Sequence, residues 1–333
     1  MERAAVSRLE VVCPAGTPAA LEAAVAAGAD SVYFGFRDGT NARNFPGLNF
    51  SREEAEEAIA HCHRHGVRAM VAVNSYPQAG RAELWQRAVA DAHALGADAV
   101  ILADLGLARW ARSRFPHLRL HLSVQASAAN PEAIAYWTER AGIRRVVLPR
   151  LFSMEDIRTL VPALPVESEV FVFGGLCVMA EGRCMLSSYV TGRSPNLDGV
   201  CSPAEWVRYG REGPMLTVRL GDVLIDRIPP GDKAGYPTLC KGCYRVRGRA
   251  MRPFEEPASL DLLSRLPELM AVGVRAIKIE GRQRGRAYVE RVVRAVRGAA
   301  EQAARGRPLD APDLRTLMEG GRATEGALAR GWR

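Results

Sequence analysis

The chain has 333 residues, of which 48% are hydrophobic and 25% charged, and its formal net charge is +8. This length suits a (β/α)₈ barrel of about 250 residues with an insertion, and no apolar run approaches the roughly 20 residues that span a bilayer. Because the first residues lead directly into a strand-like segment without a signal-peptide pattern, we expect a cytoplasmic protein.

Short apolar segments alternate with helical segments along most of the chain, which is the pattern of βα units around a parallel sheet. The predicted strands cover residues 9–12, 31–34, 68–73, 99–102, 119–123, 145–148, 166–173 and 276–279. Helices are predicted at 17–28, 51–66, 80–95 and 105–114, from 131, from 153, and over 259–272 and 285–304. Thr17 and Ser51 are the predicted N-caps of the first two helices.

Eight such units predict a TIM-like (β/α)₈ barrel, a fold of the α/β class. The alternation stops at about residues 174–258, a Gly- and Pro-rich segment that holds five of the seven cysteines and one convincing strand, 223–228. We therefore predict one barrel domain over residues 1–308, with a cysteine-bearing insertion after strand seven, and a weakly ordered tail at 309–333. An open doubly wound sheet is the alternative, although Cys13-Pro-Ala-Gly16 lacks the spacing of a dinucleotide-binding turn.

Polar residues and glycines concentrate at the carboxyl ends of the predicted strands, where barrel enzymes carry their active sites. These positions are Pro14, Gly16, Gly35, Asn74, Asp104, Gln125, Ser127, Arg150, Gly174, Glu280 and Arg282. The insertion begins at the same rim because it follows the seventh strand. The sequence thus predicts that the functional site and the cysteines share one end of the barrel.

Four cysteines of the insertion, Cys177, Cys184, Cys201 and Cys240, supply the thiolates that an iron–sulfur cluster or a Cys₄ zinc site requires. Cys243 follows Cys240 closely and makes the fourth ligand ambiguous. A structural zinc site usually shows two close cysteine pairs, and only Cys240 and Cys243 form one. A glycine precedes each of the first three cysteines by one or two residues and lets the backbone curl toward a bound group.

The other candidate metal ligands have simpler interpretations. Cys13 and Cys62 are predicted packing residues. His61, His63 and His65 are predicted to lie on a solvated helix end, because only the first and the third share a helix face. The chain shows no His-Glu-x-x-His and no Gly-x-Ser-x-Gly sequence, so a functional peptidase is not expected.

The basic charge by itself gives weak support for a nucleic-acid partner. Of 45 basic residues, only Lys233, Lys241 and Lys278 are lysines, and the charges are scattered along the chain. Aromatic signatures of RNA binding are missing. We therefore expect no nucleic-acid partner.

Nine longer motifs resemble the collagenase-like peptidase family, whose catalytic type was long unknown. They are Cys13-Pro-Ala-Gly16, Asn41-Ala-Arg43, Val124-Gln-Ala-Ser127, Val147-Leu-Pro-Arg150, Phe173-Gly-Gly-Leu-Cys177, Glu181-Gly-Arg-Cys-Met-Leu-Ser-Ser-Tyr189, Leu224-Ile-Asp-Arg227, Gly235-Tyr-Pro-Thr-Leu-Cys-Lys-Gly242 and Val274-Arg-Ala-Ile-Lys-Ile-Glu-Gly-Arg282. The resemblance covers about residues 9–300. It is strongest to the branch of the family that works in oxygen-independent ubiquinone biosynthesis.

This resemblance implies a 4Fe-4S cluster held by Cys177, Cys184, Cys201 and Cys240, with Cys243 as a possible substitute for Cys240. It also implies a heterodimer with a UbiV-like paralogue, beside a UbiT-like lipid carrier. Together these proteins would hydroxylate the ring of a hydrophobic quinone precursor without O₂. In the alternative role, this chain is a cluster-bearing scaffold and its partner performs the chemistry.

The same motifs supply the candidate substrate residues. Three arginines, Arg43, Arg150 and Arg282, are expected to clamp a carboxylate-bearing oxygen donor through bidentate bonds. Four further side chains are expected to orient the ring: Asn41, Asn74, Gln125 and Glu280.

Other members of the family hydroxylate bases in ribosomal or transfer RNA and usually carry additional C-terminal domains. This sequence ends soon after its eighth βα unit, which favours the quinone-pathway form. An RNA base hydroxylase of the same family is the alternative.

Overall fold

A computed structural model describes residues 8–310 and 312–330 of the chain. Its strands are β1 (Glu10–Pro14), β2 (Ser31–Gly35), β3 (Arg68–Val73), β4 (Ala99–Leu102), β5 (Leu120–Leu122), β6 (Arg145–Val147), β7 (Glu167–Gly175), β8 (Val207–Glu212), β9 (Met215–Leu220), β10 (Val223–Ile228), β11 (Tyr244–Val246), β12 (Arg249–Met251), β13 (Ser259–Asp261), β14 (Ala276–Ile279) and β15 (Ala323–Thr324). Its α-helices are α1 (Pro18–Ala26), α2 (Arg52–Arg64), α3 (Ala82–Ala94), α4 (Leu105–Arg114), α5 (Pro131–Ala141), α6 (Met154–Ala163), α7 (Leu186–Thr191), α8 (Leu266–Ala271), α9 (Arg286–Ala304) and α10 (Ala327–Arg330).

Strands β1 to β7 and β14 form a closed parallel barrel. Each of the first six pairs with the next in chain order, and β14 pairs in parallel with both β7 and β1. In the closing contact, Ile277 of β14 lies opposite Val11 on one side and Val170 on the other. The predicted (β/α)₈ barrel is confirmed, and the open sheet is excluded because β14 joins β7 to β1 and closes the ring of strands.

Five of the described helices between barrel strands, α1, α2, α4, α5 and α6, begin at side-chain caps, whereas α3 does not. The hydroxyl of Thr17 accepts from the backbone N–H of Ala20 at the start of α1. Ser51 and Glu54 form a capping box at the start of α2, so both predicted N-caps are confirmed. Among the described helices, none is long and apolar enough to cross a membrane.

Alternate residues of each barrel strand face opposite sides of the sheet. In β1, Val11 and Cys13 belong to the large core between sheet and helices, whereas Val12 belongs to a small apolar cluster inside the barrel. That inner cluster consists of Val12, Tyr33, Met70, Ala99, Ile101 and Ala276. Cys62 of α2 is also fully buried in the outer core, so Cys13 and Cys62 are packing residues as predicted.

Charged side chains fill the barrel near the amino-terminal ends of the strands. Arg145 of β6 donates to the two carboxylate oxygens of Glu10 at 2.6 and 3.0 Å, and to Glu169 at 3.2 Å. Glu169 also accepts from the Lys278 ammonium at 2.7 Å. Burial would raise the pKa of Glu10, but hydrogen bonds from Arg145 and its charge outweigh burial and lower the pKa to about 2. These charges therefore compensate one another inside the barrel.

The insertion after β7 contains more strands than the sequence predicted. β8, β9 and β10 form an antiparallel sheet, and β11 pairs with β12 in a separate hairpin. β13 pairs antiparallel with β7. Only β10 was predicted, because the residues of β8, β11 and β12 are mostly exposed and lack alternating apolar positions.

The helix predicted over residues 259–272 is wrong in its first half. Ser259–Asp261 forms β13, and α8 begins only at Leu266. Pro267 lies in the first turn of α8. A proline fits there because that turn needs no N–H donor, whereas deeper in a helix its ring would clash with the preceding turn.

Residues 309–310 and 312–330 follow the last barrel helix and contact the rest of the chain. Strand β15 pairs with β13, and Glu319 forms an ion pair with Lys241 of the insertion. The buried apolar residues of this segment are Leu314, Met318 and Leu328. They lie in separate short elements, so the segment lacks the apolar periodicity by which packed structure is predicted.

We expect Arg145→Met to be strongly destabilising, because it leaves Glu10 and Glu169 as buried carboxylates with one cation fewer. Breaking such a buried ion pair typically costs about 3–5 kcal/mol. The free energy of unfolding in urea measures the loss. Arg315→Met is the control, since Arg315 pairs with Asp313 on an exposed surface and should change little. Equal effects of the two substitutions would contradict the assigned role of Arg145.

Candidate functional site at the barrel mouth

The insertion lies directly on the carboxyl end of the barrel, and two glycines allow the contact. A Cβ atom on Gly182 would lie 1.9 Å from the carbonyl oxygen of Gln125, and one on Gly199 would lie 2.5 Å from the Cα of Ala42. Both glycines have positive φ, +82° and +72°, which other residues rarely adopt. The hydroxyl of Ser127 also donates to the carbonyl oxygen of Glu181. The glycines near the cysteines thus allow the insertion backbone to contact the barrel.

A cleft lies under the insertion at the predicted rim. Its lining residues are Tyr33, Ala42, Arg43, Ala72, Asn74, Ile101, Ser123, Val124, Gln125, Val147, Arg150, Phe171, Glu181, Lys278, Glu280 and Arg282. The structure therefore brings together six of the seven candidate substrate residues. The seventh, Asn41, lies behind the wall and contacts Arg282.

Arg282 is a buried cation of the cleft whose direct partners are neutral. It is 3% exposed, and its guanidinium donates to the amide oxygen of Asn41 and, at 2.6 Å, to that of Asn49. Burial lowers the pKa of Arg282 to about 10, and the charge of nearby Arg43 acts in the same direction. A buried cation without a directly bound carboxylate can accept an anionic group of a ligand.

Arg150, in contrast, has a carboxylate partner from the insertion. Its Nε donates to Glu181 at 2.8 Å, and its guanidinium lies 4.4 Å from the ring centre of Phe171. A third contact goes to the carbonyl oxygen of Gly175. Burial would lower the pKa of Arg150, but the charges of Glu181 and Glu280 and the hydrogen bond to Glu181 counter it, and the pKa is raised. Arg150 therefore joins the insertion to the cleft wall.

Arg43 and Glu280 form a longer ion pair across the mouth. The Nε of Arg43 lies 3.8 Å from a carboxylate oxygen of Glu280, and its side chain is 25% exposed. Arg43 also donates to the carbonyl oxygen of Gly199 at 3.2 Å. The other oxygen of Glu280 accepts from the backbone N–H of Gly175 at 3.0 Å. Of the three arginines, Arg43 is therefore the one whose side chain reaches solvent most.

The two asparagines of the candidate set hold neighbouring groups in place. The amide oxygen of Asn74 accepts from the backbone of Ala42 at 2.9 Å, and its NH₂ group donates to Ser123 at 2.9 Å. The NH₂ group of Asn41 donates to the carbonyl oxygen of Phe36 at 2.7 Å, while its amide oxygen receives Arg282. Both residues position the walls of the cleft.

Three buried polar atoms in the cleft residues have no hydrogen-bond partner among the described residues. They are Oε1 of Gln125, Oε2 of Glu181 and Nε of Arg282. Buried polar groups are normally satisfied, so unpaired ones that share a cleft indicate a place for a polar ligand. The set offers two acceptors and one cationic donor, which fits a ligand that carries both an anionic group and O–H or N–H donors.

Sequence analysis missed several residues of the cleft. Tyr33, Phe171 and Lys278 face inward from the middle of barrel strands, and Glu181 comes from the insertion. A count of inward-facing positions along β2, β7 and β14 could have found the first three. For Glu181, the sequence contained one indication of function, its position in the Glu181–Tyr189 motif.

The four predicted cluster ligands lie in one region of the insertion. Burial raises the pKa of three of the thiols, those of Cys177, Cys184 and Cys240. Hydrogen bonds join their segments: Asn196 donates to the carbonyl oxygen of Cys184 at 2.8 Å, and Ser202, next to Cys201, donates to that of Pro237 at 2.6 Å. The segment of Cys201 also contacts the cleft, because Arg43 donates to the carbonyl oxygen of Gly199 at 3.2 Å.

The donor set fits a thiolate-ligated cluster in its chemistry. All four cysteines are free thiols of intermediate exposure. Within residues 8–310 and 312–330, no three His, Cys, Asp or Glu side chains are close enough to hold a single metal ion.

Cys243 occupies a different setting from Cys240. Its backbone N–H donates to the carbonyl oxygen of Ile225 at 2.8 Å, which connects it to the three-stranded sheet. The thiol of Cys240 contacts the hydroxyl of Thr238 at 3.5 Å. The assignment of Cys240 as the fourth ligand, with Cys243 as its possible substitute, stays a prediction.

The histidines of α2 lie at a solvated helix end. His63 contacts Asp98 at 2.9 Å with both side chains partly exposed. The rings of His61 and His65 stack with their centres 4.5 Å apart. The structure thus places them away from the barrel mouth, on the outer side of the barrel, as an exposed polar surface.

The chain belongs to Peptidase family U32, whose profile matches residues 16–324. This confirms the family indicated by the sequence motifs. The solved structure of the U32 peptidase Mk0906 is 15% identical, with a TM-score of 0.48 over 84% of this chain and 96% of that chain.

Two relatives carry names that refer to RNA hydroxylation. The tRNA hydroxylation protein P of Escherichia coli is 32% identical over 343 residues, which cover 97% of this chain and 73% of that protein. The 23S rRNA 5-hydroxycytidine C2501 synthase of the same organism is 30% identical over 285 residues, covering 86% of this chain and 38% of that protein.

We expect Gly182→Ala to loosen the insertion, because the new Cβ would collide with the backbone of Gln125. Gly192→Ala is the control: Gly192 also has positive φ, +68°, but no atom lies within 4 Å of its Cβ position. Both variants carry backbone strain, and the collision should lower the free energy of unfolding of Gly182→Ala by about 1–3 kcal/mol more than that of the control. Hydrogen exchange over residues 177–201, followed by mass spectrometry, measures the difference. Equal exchange in both variants would show that this contact does not hold the insertion.

Proposed function

We propose that this chain is the iron–sulfur subunit of an oxygen-independent hydroxylase that acts on the ring of a ubiquinone precursor. The motifs that resemble UbiU, the oxygen-independent ubiquinone biosynthesis protein, support the quinone substrate. The relatives named for tRNA and rRNA hydroxylation support the class of reaction.

The proposal depends most on one observation, the contact between the cysteine region and the cleft. Arg150 donates to the carbonyl oxygen of Gly175, two residues before Cys177, and Arg43 donates to that of Gly199, two residues before Cys201. Cys177, Cys184, Cys201 and Cys240 would hold a 4Fe-4S cluster there, with Cys243 as the possible substitute for Cys240. When bound, such a cluster supplies single electrons at a potential set by its surroundings.

The residues of the cleft bind and orient the substrates in this proposal. Arg282, which Asn41 and Asn49 hold in place, binds the anionic group of a carboxylate-bearing oxygen donor. Gln125 and Glu181 accept hydrogen bonds from substituents of the ring. Arg43 and Arg150 add positive charge on the side of the cysteines, which favours an anionic ligand.

A heterodimer with a UbiV-like paralogue is part of the proposal, and the surface of the insertion supports a protein partner. Nine large hydrophobic side chains are exposed among the described residues, and eight of them lie between residues 185 and 254. They include Tyr189, which is 84% exposed, and Tyr209, which is 58% exposed. Exposed apolar residues concentrated in one segment often mark a protein interface. A UbiT-like carrier would deliver the hydrophobic precursor.

A second candidate function is the hydroxylation of an RNA base by the same cleft. The names of the two relatives favour it and count against the expectation of no nucleic-acid partner. The pairing of a carboxylate and an amide oxygen, from Glu181 and Gln125, would also suit the amino group of a base.

We expect protein purified without O₂ to contain iron and sulfide in equal amounts, about four of each per chain. Cys201→Ser should lose most of both, since it removes one of the four proposed ligands. Cys62→Ser, a substitution in the outer core, should lose neither. Cys240→Ser should lose the cluster and Cys243→Ser should keep it. The opposite result would identify Cys243 as the fourth ligand. Zinc without sulfide would refute the cluster.

A strain that lacks the gene for this chain distinguishes the two substrates. We expect this strain to lose ubiquinone only under anoxic growth and to regain it when the chain is expressed again. If the ubiquinone level is unchanged and an RNA hydroxylation is lost, the substrate is RNA and not the quinone precursor.

We expect Arg282→Gln to lower hydroxylation in this strain by about 10²-fold or more, because a buried charge-assisted contact to substrate is lost. Arg291→Gln, on the exposed face of α9, is the control and should restore wild-type levels. Full activity of Arg282→Gln, with no activity in the cysteine variants, would favour a scaffold whose partner performs the chemistry.

A further inference from the structure

Lys278 is a buried lysine of the cleft that the proposed binding contacts do not use. It lies on β14, is 4% exposed and lines the cleft. Its ammonium lies 2.7 Å from a carboxylate oxygen of Glu169 and 3.7 Å from the ring centre of Tyr33. Lysines are rarely buried this deeply unless they are paired.

The carboxylate beside Lys278 is shared between two cations. One oxygen of Glu169 accepts from Lys278, and the other accepts from Arg145 at 3.2 Å. Glu169 is itself 1% exposed, so water does not supplement either pairing. Lys278 therefore shares its one carboxylate partner with a second cation.

The surroundings of Lys278 favour loss of its proton. Burial lowers its pKa below the ordinary value, and the charges of Arg145 and Arg282 act in the same direction against Glu169. Tyr33, the remaining close neighbour, contributes only the face of its ring. An ammonium with a lowered pKa is a stronger proton donor than an ordinary lysine.

One N–H bond of the Lys278 ammonium has no acceptor among the described residues and can donate to a ligand in the cleft. The ammonium carries three N–H bonds. Among the described residues its one hydrogen-bond acceptor is Glu169, while the face of the Tyr33 ring covers a second direction. The third N–H is left for a ligand in the cleft.

We infer that Lys278 is the proton-transfer group of the cleft, an assignment that rests on the proposed function for its ring substrate. Its ammonium donates a proton to an oxygen atom of the bound ring. The N–H bond breaks, an O–H bond forms, and the neutral amine stays beside Glu169. The reverse transfer restores the ammonium.

The three lysines of the chain make a direct titration possible. In protein labelled with ¹³C and ¹⁵N at lysine, Lys278→Met identifies the Lys278 signal. Lys233 is exposed and is the ordinary reference, and Lys241, buried against Glu319, is the buried ion-paired reference. We expect the Lys278 signal to titrate at lower pH than that of Lys233. Titration at the same or a higher pH would overturn the assignment.

Lys278→Arg tests proton transfer, because arginine keeps the charge beside Glu169 but does not release its proton. We expect at least a 10²-fold loss of hydroxylation with unchanged melting temperature and iron content. Added ethylamine should partly restore activity to Lys278→Ala. Near wild-type activity of Lys278→Arg would leave Lys278 a purely structural ion pair and overturn the inference.

The titration needs no substrate, so it measures the pKa of Lys278 even if the wild-type protein hydroxylates neither the quinone precursor nor an RNA base. Absence of hydroxylation by the wild-type protein would refute the proposed function without bearing on the titration of Lys278.

Discussion

The parallel pairing of β14 with both β7 and β1 is the contact on which the site depends. It joins parts of the chain that are far apart in sequence, and the polar contacts of the mouth follow from it. The hydroxyl of Tyr33 donates to the carbonyl of Ile279, 246 positions later, at 2.9 Å. Arg282 reaches Asn41, 241 positions earlier. Without this closure, Lys278 and Arg282 would have neither their burial nor their partners.

Inside the closed barrel, electrostatic compensation decreases from one end to the other. Near the amino-terminal ends of the strands, Arg145 has three carboxylate partners, Glu10, Glu167 and Glu169. At the opposite end, Arg282 is bonded to neutral amides. The first arrangement stabilises the fold, and the second leaves a positive charge that a ligand can neutralise. Stability and binding thus use the same residue type in different surroundings.

The barrel could be predicted from the sequence because each βα unit carries a local signal: a short apolar run, a capping residue and a turn. The same reasoning placed Asn74, Gln125, Arg150 and Glu280 at one rim, since parallel strands all end there. The insertion could not be predicted equally well. Its strands are short and exposed, and β13 takes its place only by pairing with β7. The pairing of Arg150 with Glu181 also depends on how that irregular segment folds back.

The position of the insertion has a consequence for the order of folding. The last barrel strand leaves the ribosome only after the whole insertion, so β7 and β1 both present open edges during that time. Closure then requires contacts of very long sequence separation, which form slowly. An open strand edge invites pairing with other chains. The nascent protein is therefore most exposed to misassembly, and most in need of a chaperone, in the interval before β14 appears.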